Sequence, residues 1–192
     1  MFNQRGYEGC SLREIMAKAG IEKGGIYRHF ASKEELALEA FDFAWAEVFQ
    51  RRMRGLAEIK DPLLRVERFI LNFAEQSPVL HGGCPLLNTA IDADDGNAAL
   101  RARARGALDN WRMRLSLLIS IAMQRGLVRP DTEPCAVATI IIATLEGALM
   151  VSRLEKNAYA LVTACDHLIS WVESLRVETR VSHGDTERTH RR

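Results

Sequence analysis

From Cys135 to Val151 the chain is apolar apart from Thr139, Thr144 and Glu146, and the run also contains Gly147. A bilayer span needs about 20 residues, and a carboxylate in mid-span is expensive, so this run is a poor membrane segment. In a soluble protein a helix that is apolar on all sides is buried on several, in a core or at a subunit interface. The run therefore predicts a buried helix near 134–154 and no contact with a membrane.

Helix start and stop signals recur along the rest of the chain, and strand alternation does not. Ser11-Leu12-Arg13-Glu14 reads as a capping box, opening a helix that closes at Gly20. Ser32-Lys33-Glu34-Glu35 reads as a second, opening a longer helix with Phe41, Trp45, Val48 and Arg52 at helical spacing. Asp61-Pro62 supplies an N-cap and a first-turn proline, followed by Val66, Phe69, Ile70 and Phe73 on one face. Leu108, Trp111, Leu115, Leu118 and Ala122 repeat the pattern before Gly126, and a last helix is expected near 157–177. With 13 Gly and 5 Pro in 192 residues, the chain has too few turn formers for a fold of many short strands. The expected fold class is all-α.

In the last helix Leu161, Cys165, Leu168, Val172 and Leu175 alternate by four and three, a seam that faces one partner helix. Beside the apolar helix before it, this leaves more apolar surface than a small bundle covers alone. A homodimer sealed by the helices near 134–154 and 157–177 is expected, the other reading being that both are simply core.

The formal net charge of +1 excludes a uniformly basic nucleic-acid coat, so any DNA contact must come from a local patch. Up to Lys33 there are six Lys or Arg against three Glu, which makes such a patch. A capped helix over 11–19, a turn at Gly20-Ile21-Glu22 and a short helix over about 23–29 form a helix-turn-helix. The second of these reads Lys23-Gly24-Gly25-Ile26-Tyr27-Arg28-His29-Phe30, whose small residues let the backbone approach phosphates. Spacing alone equally allows a helical hairpin with a solvated charged face. The four cysteines, at 10, 84, 135 and 165, form no CxxC pair or disulfide framework, and no signal peptide is seen, so a reducing cytoplasm is expected. No GxSxG, HExxH, Walker A or dinucleotide fingerprint is present, and no enzyme activity or cofactor is expected.

Gly6-Tyr7-Glu8-Gly9-Cys10-Ser11-Leu12-Arg13-Glu14-Ile15-Met16-Ala17-Lys18-Ala19-Gly20-Ile21, followed by Gly24-Gly25-Ile26-Tyr27-Arg28-His29-Phe30-Ala31-Ser32-Lys33-Glu34-Glu35-Leu36, closely resembles the TetR family of transcriptional repressors. The resemblance implies a DNA-binding domain over 1–45, a helical regulatory and dimerisation domain over 46–177 that encloses a ligand pocket, and a flexible tail over 178–192. Tyr27, His29 and Lys33 match the family's phosphate-contacting set, Arg28 a base or phosphate contact, and Ser11 a backbone anchor. Lys23, Gly24 and Gly25 complete the implied DNA-facing set, while Phe30 and Leu36 are packing residues. Position 22 is Glu where the family usually has a capping serine, and position 25 is Gly where a hydroxyl or Ala is common. The family has a full helix before Gly6-Tyr7, and Met1 to Arg5 resemble its tail. A shortened helix would thin the cover of Leu12, Ile15, Ile26 and Phe30 and loosen the DNA-binding end.

His81-Gly82-Gly83-Cys84-Pro85-Leu86-Leu87-Asn88 resembles the entry to the middle helix in one subgroup of the family. Cys84 then sits at a helix N-terminus, where the dipole favours thiolate, although free cysteines are more often buried and inert. His81 and Cys84 have a metal-like spacing without further ligands, and no metal is expected. The candidate effector-binding set is Phe69, Phe73, Cys84, Asn88, Trp111, Leu115, Glu146 and Met150. Glu146, alone in its apolar helix, is expected to pair with Arg112 or Arg114 or to orient a ligand. Asp92, Asp94 and Asp95 read as a solvated loop. Together these features imply a ligand-responsive DNA-binding repressor acting on a palindromic operator and released by a small, partly apolar effector. The alternative is a helical ligand-binding or interaction protein whose DNA binding is impaired by the missing first helix.

Overall fold

The computed structural model describes residues 1–75 and 81–177. Among them the chain forms nine helices: α1 (Phe2–Arg5), α2 (Leu12–Ala19), α3 (Lys23–Ile26), α4 (Lys33–Arg52), α5 (Pro62–Ala74), α6 (Pro85–Asp92), α7 (Ala98–Gln124), α8 (Pro134–Glu155) and α9 (Tyr159–Glu173). The expected tail over 178–192 lies outside the described residues.

The caps behave as their residue types dictate. Ser11 Oγ accepts from the backbone N–H of Glu14, whose carboxylate accepts from the N–H of Ser11 at 2.9 Å, closing the first box. Ser32 Oγ likewise accepts from Glu35 N–H, but the Glu35 carboxylate reaches one residue further back, to the N–H of Ala31. Asp61 caps α5 through the N–H groups of Leu63 and Leu64 and also holds Arg176 at 3.0 Å. Two helices are shorter than their patterns suggested. α3 stops at Ile26, after which His29 and Phe30 turn back their N–H groups to the carbonyl of Ile26. α9 stops at Glu173, because Arg176 forms a single antiparallel bridge with Val128 and Leu175 O accepts from Arg129 N–H.

α8 packs between α7 and α9, and α5 lies against α7 and α9. Their shared core holds Leu63, Val66, Ile70, Ile119, Ile141, Leu145, Leu168 and Val172, all fully buried. The seam of Leu161, Cys165, Leu168, Val172 and Leu175 is buried within this core, where Cys165 Sγ reaches the carbonyl of Ile70 on α5. It therefore packs against a partner helix of its own chain, which is the core reading of this seam. α8 is long and apolar enough to cross a membrane, yet its Ile141, Leu145 and Glu146 face are taken up by this core. α4 runs unbroken through position 45, so the expected domain boundary falls within one helix.

A smaller cluster of Ala37, Ala93 and Leu100 receives Phe2, Tyr7 and Leu38, and joins α1 to α4 and the end of α6. Ile26 is buried, while Leu12, Ile15 and Phe30 are half-buried and α2 has no fully buried residue.

Candidate functional site

The residues expected to face DNA lie at the start of α2, in and just after α3, and at the start of α4. Tyr27, Arg28 and His29 follow α3 directly and are exposed, with Arg28 Nε donating to the carbonyl of Gly24 at 3.2 Å. Gly24 is open, so its backbone is accessible, whereas a Cβ at Gly25 would meet Ile21 Cγ2 at 2.6 Å. A side chain at 25 would have to displace the exposed Ile21 methyl, and the contact a hydroxyl would make there is absent. Lys33 opens α4 and lays its ammonium 4.2 Å above the centre of the Tyr7 ring, which fixes it beside α1. Ser11 is exposed with its hydroxyl engaged in the cap. Lys23 opens α3, and its side chain lies outside the described residues.

A second constellation lies inside the helical bundle. Trp111 is fully buried at the centre of Trp45, Phe69 and Phe73, with ring centroids between 5.8 and 6.2 Å from its own. Into these rings the last residue of α4, Arg52, inserts its guanidinium. It lies 4.2 Å from the Phe73 ring centre and 4.6 Å from that of Trp111. Only 4% of Arg52 is exposed. Its Nη2 donates to Glu146 Oε1 at 3.5 Å and to Cys84 Sγ at 3.4 Å, and the Cys84 thiol donates to the same Glu146 oxygen at 2.9 Å. Asn72 on α5 donates to the carbonyls of Arg52 and Arg54, satisfying the C-terminal end of α4 and holding Arg52 in place.

Glu146 therefore pairs with Arg52, not with Arg112 or Arg114. Arg112 is occupied by Asp109 on its own helix, and Arg114 binds Asn110 and lies over Phe49. Burial pushes the Glu146 carboxyl above the usual carboxylate range, against the opposing pull of Arg52. Burial also pushes the Cys84 thiol up to about 11, Arg52 opposing and the Glu146 charge adding to it. The helix-terminus position thus does not make a thiolate, because desolvation outweighs the dipole. Arg52 was the member that sequence reasoning missed. Its signal was register: it continues the Phe41 and Trp45 face of α4, where a charged residue is out of place unless it is paired.

Two residues assigned to the effector set lie elsewhere. Met150 is half-exposed on the outer face of α8. Asn88 points to α1, donating to Asn3 O, Asn3 Oδ1 and Gly82 O at 2.9–3.0 Å, while Asn3 donates to His81 O and Gly83 O. One turn later Asp92 accepts from the N–H of Tyr7 at 2.6 Å, so it is a contact between elements and not part of a solvated loop. Two glycines make this approach close. A Cβ on Gly6 would fall 2.2 Å from Asp92 Oδ1, and one on Gly82 2.2 Å from Asn3 O, and both have positive φ. Positions 84, 88 and 92 are spaced by four, so a single helix carries the buried cluster at its N-cap and then grips Asn3 of α1 and, one turn on, Tyr7 just after it.

Two family descriptions match the chain: "Bacterial regulatory proteins, tetR family" over residues 1–40 and "Tetracyclin repressor-like, C-terminal domain" over residues 62–168. The HTH-type transcriptional repressor DhaR of Mycobacterium sp. (strain GP1) is 26% identical over 160 residues, spanning 82% of this chain and 79% of its own. A crystal structure of a TetR transcriptional regulator from Chloroflexus aurantiacus superposes with a TM-score of 0.85 at 44% identity, covering 91% of this chain and 89% of that one. A TetR-family regulator from Cytophaga hutchinsonii gives 0.84 at 31% identity, with coverage of 92% and 90%. With its N-terminal helix-turn-helix and its helical C-terminal domain, the chain belongs to the TetR family of non-enzymatic, DNA-binding transcriptional regulators.

Proposed function

We propose that this regulator is a homodimeric, cytoplasmic repressor that leaves a palindromic operator when a small effector reaches the Arg52–Glu146–Cys84 cluster. Residues 1–45 would hold DNA and residues 46–177 the effector and the partner subunit. In this reading Ser11, Lys23, Gly24, Gly25, Tyr27, Arg28, His29 and Lys33 face DNA. Phe69, Phe73, Cys84, Trp111, Leu115 and Glu146, joined by Arg52, form the effector site. The observation that carries the reading is α6. Its N-cap, Cys84, meets the buried charges, and its later turns hold α1 through Asn88 and the Tyr7 that follows α1 through Asp92. A ligand that moves the start of α6 must strain or release those grips, and with them the support of the DNA-facing end. The likeness to DhaR, a transcriptional repressor, supports repression over activation.

The dimer is supported by the outer face of α8. Ala136, Ile140, Ala143, Gly147, Met150 and Leu154 are spaced by four and three, are all exposed, and form one apolar stripe. Tyr159 and Val162 on α9 extend it. Two such faces give the self-complementary contact of a two-fold dimer, and successive major grooves would then receive the two copies of α3 about 34–36 Å apart.

The test is a titration of the DNA upstream of the protein's own gene, with and without candidate effectors. Saturable binding to a palindrome, weakened by an effector whose action is lost in Arg52→Gln, is expected. Binding no tighter than to unrelated DNA would overturn the reading.

A further inference from the structure

Resting on the assignment of the effector site above, the chemistry of the cluster specifies what it accepts. Arg52 and Glu146 have side chains only 5% and 10% exposed, and each keeps one buried polar atom without a partner: Arg52 Nη1 and Glu146 Oε2. Trp111 Nε1, in the same ring cluster, is buried and unpartnered as well. Leaving buried donors and acceptors unmet is costly, so these atoms call for a guest. They form an asymmetric pair, a guanidinium N–H that needs an acceptor and a carboxylate oxygen that needs a donor.

A cavity of about 900 Å³ opens between α1, α4 and α6. Its lining includes Phe41 and Ala44 on α4 and Pro85, the residue that follows Cys84. A guest reaches the unmet atoms through a movement of α6, because none of Arg52, Phe73, Cys84, Trp111 and Glu146 lines the cavity beside that helix.

Net charge narrows the guest further. The cluster already holds one cation and one anion in a desolvated core. An anionic guest would set a second negative charge beside Glu146, and a cationic one a second positive charge beside Arg52. A neutral guest adds neither penalty. We propose that the cluster binds small neutral carbonyl compounds that carry a hydrogen-bond donor next to the carbonyl, primary amides being the simplest. The carbonyl oxygen accepts from Arg52 Nη1, the neighbouring N–H or O–H donates to Glu146 Oε2, and the apolar remainder lies on the Phe73 and Trp111 rings.

Three probes of equal heavy-atom count separate the possibilities: propionamide (acceptor and donor), propionate (anion) and methyl acetate (two acceptors). Calorimetry and ligand-observed NMR on the full chain should show propionamide binding about tenfold more tightly than either of the others, the effect of one hydrogen bond to a charged group. Glu146→Gln provides the decisive arm. Its oxygen must stay with Arg52 and Cys84, so its amide N–H takes the free position, and the site then wants two acceptors. Methyl acetate should overtake propionamide in this variant, with an unchanged circular dichroism spectrum and a cooperative, though lower, melting transition as the folding control, since Arg52 keeps its hydrogen bond but loses its counter-charge.

A wild-type preference for propionate, equal binding of all three, or the same order in Glu146→Gln would overturn the proposal. So would no binding at all, since water would then satisfy both atoms. Operator release is scored separately. Propionamide that binds in the expected order but leaves DNA affinity untouched would refute the cluster as effector site while leaving its ligand class standing. Release that depends on Arg52 but follows propionate or methyl acetate would do the reverse.

Discussion

Arg52 and Glu146 illustrate how a buried ion pair is held in place without being a source of stability. Removing one partner strands the other charge in the core, which costs about 3–5 kcal/mol, while replacing both by apolar residues of similar volume is close to neutral. Glu146→Leu should therefore destabilise the protein by roughly that amount in urea titrations, and Arg52→Met with Glu146→Leu together by far less. A double variant as unstable as the single one would show that the pair, and not the stranded charge, carries the energy. On the DNA-facing end the expectation is electrostatic. Lys33→Ala should weaken binding to operator and random DNA alike and lower the salt slope by about one unit, because a phosphate contact carries no sequence information. Fluorescence anisotropy across a salt series reads both, and an unchanged slope would place Lys33 away from the backbone, held by the Tyr7 ring alone.

At the scale of elements, α5 shows how a cap and a charge act together. Burial pushes Asp61 up, but Arg176 and the N–H groups of Leu63 and Leu64 outweigh it and hold the carboxyl below its usual range. A depressed folded pKa adds stability that is present above the unfolded value, about 3.9, and is lost as pH falls through the folded one. Asp61→Asn should accordingly lower stability at pH 7 by about 0.5–1 kcal/mol, since Asn still caps a helix and partly exposed pairs are weak. The difference from wild type should fade as pH falls through that depressed value, and a gap that persists once the carboxyl is protonated would mean that the cap geometry, not the charge, is at stake. Capping was also what the sequence displayed best. Ser11, Ser32, Asp61, Gly20 and Gly126 punctuate helices because their local chemistry is sufficient to do so. Contacts between distant segments left weaker traces. The bridge that ends α9 pairs Arg176 with Val128, and nothing in the period of Leu161 to Leu175 announces that partner. Arg52 was visible only as a misfit on an apolar face, and its three partners come from three other helices or their caps.

For the whole molecule, the proposed dimer and the proposed response can be separated. A Cβ at Gly147 meets nothing within 4 Å in its own chain, so a larger residue there leaves the subunit fold intact and should strengthen α8, leucine being the better helix former by roughly 0.5–1 kcal/mol. In the proposed dimer the same side chain would crowd the matching stripe of the partner subunit. Gly147→Leu should thus give a folded monomer by sedimentation velocity, with operator affinity lost. A dimer of unchanged affinity would move the interface off this stripe. Asn88→Ala, which frees Asn3 and the 81–83 loop, should keep effector binding but reduce its effect on DNA. By linkage, DNA should then alter effector affinity less by the same factor. Coupling equal to wild type would show that α6 acts through some other contact.

The meeting of α1 with α6 bears on modularity. A regulator of two parts invites exchange, with a DNA-reading head from one relative joined to the sensing body of another. Here a splice at residue 45 would cut within α4 and set a foreign α1 against Asn88, Asp92 and the loop at Gly82. Any side chain at position 6 would run into Asp92, and position 82 admits no Cβ beneath Asn3. The unit that can be exchanged is therefore discontinuous: the head travels with residues 81–92, and a chimera that leaves them behind inherits two folded halves that no longer fit.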